Sequence, residues 1–472
     1  MPSQRWLRPV WVPGVLVHVI LTIRLIGRRD LFGDEAFSLA ATHDLSATLS
    51  NTSGTMASYY MLLTPWSWVS PSPSWLRLLS LLAMTSAVAV LALFVQRQVG
   101  SVAGRWAGII CACAYLPVRF AVEARSYAVV ALLTTLAWYT LDRIMDGDRS
   151  TGVRLGYVTC ILLLPLTHGL SVIQVVAQLV AVSYSRPSRT ALRLVWSAGA
   201  ASLACSGLLY LAGASAVGNW LDPLSVTELE RFVRRMVHPS LWLAIPLLAL
   251  ILGGLASQLR LPTESPTQRF RRVSLALWGP GAIAGLLALS LVRPSQFAQY
   301  AMAAAFGLAG LMAVAVTRVK SGTATVILPM LTVLVLLFGQ SEFPGRAPTW
   351  SAAAQLIDAR MEPDDGIIFL PRSARLSFEA ALAAQPGLDR PHVVASGRPL
   401  GSFDRFSDRA SLSEKAAAAR GRPRLWVVGT PHLESEEGAD ALVRREDLQD
   451  AFRLARVWHL EGDITIYLFD AR

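Results

Sequence analysis

Apolar runs recur along this chain from residue 10 to about 339, and a lipid bilayer is the solvent that accommodates so many of them. Hydrophobic residues fill 53% of the 472 positions, charged residues only 16%, and the mean hydropathy is +0.45. With no water in the bilayer core, backbone groups must be satisfied within helices or a closed barrel. Runs of this length specify helices, so the chain reads as a polytopic α-helical membrane protein. A full crossing takes ~20 apolar residues, which places spans at 10–27, 75–96, 106–122, 126–144, 155–168, 170–184, 194–216, 240–258, 273–292, 298–317 and 324–339, about eleven in all. Ser58–Val69 is too short for a crossing and carries Pro65, so it reads as an interfacial or re-entrant helix.

The run Tyr157–Tyr184 is either one long helix or two short ones broken between Pro165 and Gly169. Cationic residues decide. With two helices, Arg186, Arg189, Arg193 and the Arg269, Arg271, Arg272 cluster fall on the side of Arg5, Arg8, Arg97, Arg105 and Lys320, as the positive-inside bias asks. The N-terminus is then cytoplasmic, and the first outer loop spans residues 28–74. The formal charge of +11 is therefore a topology signal and not a nucleic-acid footprint. The basic, apolar N-terminus has no small-residue cleavage site behind it and reads as a retained first span. Cys111, Cys113, Cys160 and Cys205 all lie inside apolar runs, where nothing suggests disulfides or a zinc site.

After Gly339 the composition becomes that of a water-soluble domain. Apolar bursts at 366–370, 392–395, 424–429 and 464–469 alternate with helix-like stretches Ser351–Met361, Ser373–Ala384 and Leu412–Arg420. That alternation predicts a small α/β domain over 340–472, on the outer, extracytoplasmic side, beside a membrane domain over 1–339. It has no Gly-rich phosphate loop, which fits a stabilising cap or a partner surface.

The fixed topology brings several polar residues to the outer membrane surface. Asp34 and Glu35 (LFGDEAFS) follow the first span, Tyr59 and Tyr60 open the interfacial segment, and Glu123, Arg125 and Tyr127 (EARSY) lie between the third and fourth spans. His168 ends the fifth span and Arg293 the ninth. A carboxylate at the bilayer centre would cost ~2.5–3.5 kcal/mol, so an acidic pair at the mouth of a span is a solvated loop or a site. Each residue also has a structural reading. Asp34 is a good N-cap for a helix starting at Glu35, and Glu123 and Tyr127 are i,i+4 neighbours if EARSY opens a helix. Arg119 and Arg293 can snorkel, His168 can be a helix-end residue, and the tyrosines with Trp66, Trp68 and Trp75 can form an aromatic belt.

GDEAFS after the first span, then MASYYMLLTPW, then EARSYA, then LTHGL at an outer helix end is an order that resembles the glycosyltransferase family 39 group. That group includes protein O-mannosyltransferases, aminoarabinose transferases and many bacterial relatives with a GT-C fold. The likeness runs from about residue 10 to 340, and PTWSAAAQLIDARMEPDDGIIFLP resembles the outer domain of many bacterial members. It implies a mannose-like or other hexose or pentose donor on a polyprenyl phosphate, transferred with inversion outside the cytoplasmic membrane. Asp34 matches the general base and Glu35 its companion. Tyr59, Tyr60, Glu123, Arg125, Tyr127, His168 and Arg293 then become substrate-binding candidates, with Arg125 and Arg293 for the leaving phosphate. Arginines suffice for a lipid phosphate monoester without a metal, and a divalent ion beside Asp34 or Glu35 is left open. The chain departs from the pattern at Thr55–Ser58, where relatives carry His-Pro-Pro, and at Gln299 and Tyr300, where they carry Arg-Tyr.

The reading is an integral membrane glycosyltransferase, acting on a protein, lipid or polysaccharide acceptor of the cell envelope. Its competitors are a carrier or flippase for a lipid-linked sugar and an inactive lipid-binding relative. Transporters tend to show internal repeats and midplane ionisable residues. This chain shows no repeat, and its ionisable residues gather at one surface.

Overall fold

The computed structural model describes residues 9–213, 223–295, 297–319, 323–342, 349–370, 372–385, 392–394, 412–429 and 446–472. Arg5, Arg8 and Lys320 of the charge pattern lie outside them. Two compact units divide the chain: one takes in Met1–Arg24, Ser46–Tyr59 and Arg77–Phe343, the other Leu25–Leu45, Tyr60–Leu76 and Pro344–Arg472. The segment carrying Asp34 thus folds with the C-terminal part of the chain.

In chain order the helices up to residue 338 are α1 (Val12–Thr22), α2 (Gly33–His43), α3 (Leu45–Asn51), α4 (Ala57–Ser67), α5 (Pro73–Gln98), α6 (Ser101–Cys113), α7 (Tyr115–Ala121), α8 (Tyr127–Met145), α9 (Thr151–Thr167), α10 (Val172–Ser185), α11 (Arg189–Leu211), α12 (Val226–Met236), α13 (Leu241–Leu259), α14 (Pro266–Ala276), α15 (Ala282–Ser290), α16 (Ala304–Arg318) and α17 (Ala324–Phe338). Every predicted span falls on one or two of these helices. Among the described residues, α5, α8, α11, α13 and the run Pro266–Ser290 are long and apolar enough to cross a bilayer, and α6 with α7, bent by 63°, is either a sixth, broken span or a re-entrant loop. The helices α1, α9, α10, α16 and α17 are apolar but shorter. At 11 residues α1 rises only ~16 Å, and the rest of its predicted span, to residue 27, is turn.

Where Pro117 and Pro165 interrupt the hydrogen-bond ladder, side chains from elsewhere satisfy the carbonyls they leave open. Pro117 cannot donate to the carbonyl of Cys113 four residues back, and Gln340 Nε2 donates to it instead at 2.9 Å. That substitution sits at the bend between α6 and α7. Pro165 likewise leaves the carbonyl of Ile161 to Ser202 Oγ, at 2.8 Å. Helix α9 therefore runs through Pro165 and stops only at His168, which is extended before a 3₁₀ turn at Gly169–Ser171 leads into α10. Tyr157–Tyr184 is accordingly two helices. Around Pro280 the ladder loosens to a π turn, Leu277–Gly281, between α14 and α15. There Trp278 stacks on Trp138 with centroids 5.7 Å apart, its carbonyl accepts from Gln174 Nε2 at 3.2 Å, and its indole N–H donates to the carbonyl of Ala303 at 2.8 Å.

Several arginines read as topology signals are also ion-paired. Arg97 donates to Asp142 (2.7 Å) and Asp146 (2.6 Å), and Arg271 reaches Asp146 at 2.8 Å. Ser274 Oγ donates to Gln98 at 2.9 Å. These contacts close α5, α8 and α14 at the end of α8 away from EARSY.

In the other unit, α18 (Trp350–Asp358), α19 (Arg372–Ala383) and α20 (Leu412–Ala419) accompany a five-stranded sheet. Its strands are β1 (Gly366–Leu370), β2 (His392–Val393), β3 (Arg424–Gly429), β4 (Phe452–Leu460) and β5 (Ile464–Ala471), in the order β2-β1-β3-β5-β4. β1 pairs parallel with β2 and β3, while β5 pairs antiparallel with β3 and β4. Side chains alternate between two cores, as a sheet covered on both faces requires. Ile367, Phe369, Trp426 and Val428 join α18 and α19, whereas Ile368, Leu370, Leu425 and Val427 join Ala419 and Phe452.

Below the sheet, Asp365 accepts from Arg424 Nη2 (2.7 Å), Trp426 Nε1 (2.9 Å) and the Glu362 N–H (2.9 Å). Burial alone would raise its pKa, but these donors together hold the carboxyl below the usual carboxylate range. A depressed folded pKa means stability present above the unfolded value of about 3.9 and lost as pH falls through the folded one. Asp365→Asn is expected to weaken the sheet by roughly 2 kcal/mol at neutral pH and to flatten its loss of stability below about pH 4, read by tryptophan fluorescence. An unchanged acid transition in the variant would contradict this.

Candidate functional site

The acidic motif forms the first turn of α2. Its helix begins at Gly33, two residues earlier than an Asp34 cap would require, and Phe32 is the N-cap. Asp34 is therefore at the second helical position and not the capping one. Glu35 takes the reach-back role of a capping box, accepting from the Phe32 N–H at 3.4 Å, and is fully buried. Asp34 is exposed. One carboxylate of the pair thus serves the local fold while the other faces outward.

Tyr60 is in the same unit and is 1% exposed, so it is no belt residue. Trp66 and Trp75 stack at 4.6 Å, and each indole N–H donates to the other's carbonyl, at 2.8 and 2.7 Å. Of the proposed aromatic belt, Trp68 is the tryptophan that is largely exposed, at 78%.

EARSY, in the other unit, is not a helical turn: residues 123–126 lie outside the helices and Tyr127 opens α8. It fills the break between α7 and α8, with the Arg125 N–H donating to the Glu123 carbonyl at 2.8 Å. Glu123 therefore does not pair along a helix with Tyr127. It accepts from Arg119 Nε, one turn back on α7, at 3.1 Å, and Arg119 also donates to the Tyr115 hydroxyl at 3.2 Å. Glu123 is 3% exposed. Arg119 is thus anchored by an acid and a phenol rather than only snorkelling.

Beyond this ion pair runs a chain of rings. Phe120 meets Tyr127 at 4.7 Å, Tyr127 meets His168 at 5.6 Å, His168 meets Tyr300 at 5.1 Å and Tyr300 meets Phe297 at 5.8 Å. The Arg125 guanidinium carbon lies 6.0 Å from the Tyr127 centroid, and Arg125 is partly exposed. The break that leaves His168 in an extended conformation is thus what lets its ring stand between two tyrosines. Thr167 beside it is paired with Ser58 Oγ at 2.7 Å. Tyr59 is fully buried in this unit. Arg293 has a different partner, the ring of Tyr210 on α11, at 5.4 Å.

Reading the sequence thus finds Glu123, Arg125, Tyr127 and His168, which the fold brings into one cluster, but misses Tyr115, Phe120 and Phe297. The i,i+4 spacing of Arg119 and Glu123 carried a usable signal; the ring contacts of Phe297 had none. Among the described residues, no three His, Cys, Asp or Glu side chains group as metal ligands.

Apolar helices, with a small mixed sheet in the C-terminal part, make the chain a polytopic α-helical membrane protein of GT-C fold. It superimposes on ArnT from Cupriavidus metallidurans, in the apo state with a TM-score of 0.64 and bound to undecaprenyl phosphate with 0.60, in both cases at 11% identity and covering 97% of each chain. The Archaeoglobus fulgidus oligosaccharyltransferase, crystallised with zinc and sulfate, matches with a TM-score of 0.56 at 15% identity, over 97% of this chain and 72% of that one. No family model and no curated protein sequence matches the chain.

Proposed function

We propose that the chain is an integral membrane glycosyltransferase that moves a sugar from a polyprenyl phosphate to a hydroxyl of a cell-envelope acceptor. The observation that carries the reading is the division within the acidic pair: Glu35 is buried and bonded to the helix start, while Asp34 is exposed in the first turn of α2. A general base has to be reachable by its substrate, and Asp34 is the member of the pair that is. End-to-end likeness to ArnT, solved also with undecaprenyl phosphate bound, supports the donor class.

In this reading the Asp34 carboxylate takes the proton of the acceptor hydroxyl as its oxygen bonds to the anomeric carbon. The bond from that carbon to the phosphate oxygen breaks on the opposite face, so configuration inverts and polyprenyl phosphate leaves with the bonding pair. Cationic side chains stabilise the charge that develops on the phosphate. Arg125 is the main candidate, a partly exposed residue whose guanidinium carbon lies 6.0 Å from the Tyr127 ring centroid; Arg293 is the second. The His168–Tyr127–Tyr300 stack gives a rigid wall for binding donor or acceptor. Neither arginine needs a metal beside it to meet a monoester. The charge pattern of the loops supports transfer on the outer face, with the N-terminus cytoplasmic and the C-terminal α/β fold extracytoplasmic.

The test is transfer or release of labelled sugar from a panel of polyprenyl-phosphate donors by the detergent-purified chain. Turnover of one donor is expected, and Arg125→Ala should raise the donor KM about tenfold or more with a smaller effect on the acceptor KM. Donor binding without turnover of any panel member would favour a lipid-sugar carrier or an inactive relative. A change confined to acceptor affinity in the variant would remove Arg125 from the phosphate.

A further inference from the structure

Two contacts join the acidic segment to the C-terminal α/β fold within one unit. The first is made by Asp30, three residues ahead of the first helical residue of α2. Its carboxylate accepts from the Ser351 N–H at 2.7 Å and from Ser351 Oγ at 2.6 Å. Ser351 is the second residue of α18, whose own N-cap, Thr349, makes no capping side-chain bond. Asp30 therefore caps α18 from a remote part of the chain, and its charge complements the positive end of that helix.

The second contact is α2 against α19. Helix α19 gives Ala374, Phe378, Ala381 and Leu382 to the sheet core. Its Arg375 and Glu379, 3.1 Å apart and 1% and 0% exposed, form a buried ion pair. Helix α19 packs against α18 and against α2, which buries Glu35, Ala36, Ser38, Leu39, Ala40 and Ala41. A buried ion pair tolerates few alternative packings, because shifting one partner leaves an uncompensated charge.

We propose that the α/β fold is a positioning device for the acidic helix, and that Asp30, bonded to Ser351, is the positioning residue that fixes where the Asp34 carboxylate stands. Asp30 and Gly33 are three positions apart, a reach of ~10 Å at full extension. Once Asp30 is bonded at both oxygens, the first turn of α2 has little freedom left. The proposal gives the C-terminal fold a part in the reaction rather than that of a detachable cap. It rests on the reading of Asp34 as base, since only then does the placement of α2 govern a rate.

The experiment compares the full-length wild type with Asp30→Ala, Asp30→Asn and Ser351→Ala in detergent, by amide hydrogen exchange and by steady-state transfer. Asp30→Ala is expected to lose about tenfold of the protection of residues 33–43 and 350–358, as for one charge-assisted bond removed, with the sheet and the membrane helices unchanged. Its kcat should fall on the order of 10²-fold, as a misplaced base implies, with donor KM unchanged. Asp30→Asn, which keeps an acceptor oxygen, should recover part of both losses, and Ser351→Ala should reproduce part of them. Unchanged exchange over 33–43 in Asp30→Ala overturns the clamp, as does a rise in donor KM with kcat preserved. If the wild type transfers from no donor, the proposed reaction fails, and the exchange data alone still decide whether Asp30 fixes α2.

Discussion

Asp34→Asn is expected to lower sugar transfer by ~10²–10⁴-fold, the usual worth of a general base, with the protein folding normally and the donor still bound. The amide is isosteric with the carboxylate and sits at an exposed position, so the fold around it is kept. The helix start does not depend on Asp34 either, because the reach-back bond to Phe32 is made by Glu35. What disappears is the capacity to accept a proton, together with a negative charge that the first turn of a helix stabilises by ~0.3–1 kcal/mol. Glu35→Gln provides the contrast. It alters a buried group bonded to the Phe32 N–H, so it should destabilise the start of α2 and lower kcat only as far as Asp34 is displaced. Rate measurements with one donor across the two variants, beside their melting temperatures, separate the roles. A wild-type rate in Asp34→Asn would assign the proton to another group.

The helical plan of the molecule was readable from hydropathy because lipid imposes one rule on every span: apolar side chains outward and backbone bonds internal. Strands β1 and β3 and helices α18, α19 and α20 were legible for a related reason, since a strand buried on both faces is written as a continuous apolar run such as GIIFL. β4 was not. FRLARVWHL is an edge strand with Arg453 and Arg456 exposed and a bulge between Leu454 and Arg456, the polar, irregular edge that discourages pairing with another chain and hides from a hydropathy scan. Motif residues were found at the turns, but their partners were not. Whether Glu123 faces Tyr127 or Arg119 depends on α7 ending at Ala121, and the bend that leads into α7 is held by Gln340, more than two hundred residues away. Asp30 was unremarkable in sequence because its meaning is the N-terminus of α18, at the far end of the chain.

Gly254→Ala is expected to disrupt the membrane unit, while Gly253→Ala next to it is not. A Cβ at Gly254 on α13 would lie 2.0 Å from the Leu311 carbonyl oxygen and 2.7 Å from its carbon. Both are main-chain atoms of α16, so no rotamer change can make room and the two helices must separate. At Gly253 the nearest atom would be the Ala315 methyl, at 3.8 Å, an ordinary contact. The smallest side chain at Gly254 should therefore cost at least the ~1–3 kcal/mol of overpacking, whereas the same change at Gly253 should be neutral or stabilising by up to ~1 kcal/mol through helix propensity. Close backbone approach at small residues is how helices associate where lipid removes the hydrophobic drive. The effect should not stay local. α16 also meets the π turn through Gly307, where an added Cβ would stand 2.4 Å from the Gly279 nitrogen, and it packs against α6, whose bend into α7 leads to EARSY. Moving α16 away from α13 thus disturbs the residues that follow Tyr300 and the approach to Arg125 together. Thermal unfolding of the two variants in one detergent checks this, and equal melting temperatures would mean that α13 and α16 do not cross at Gly254.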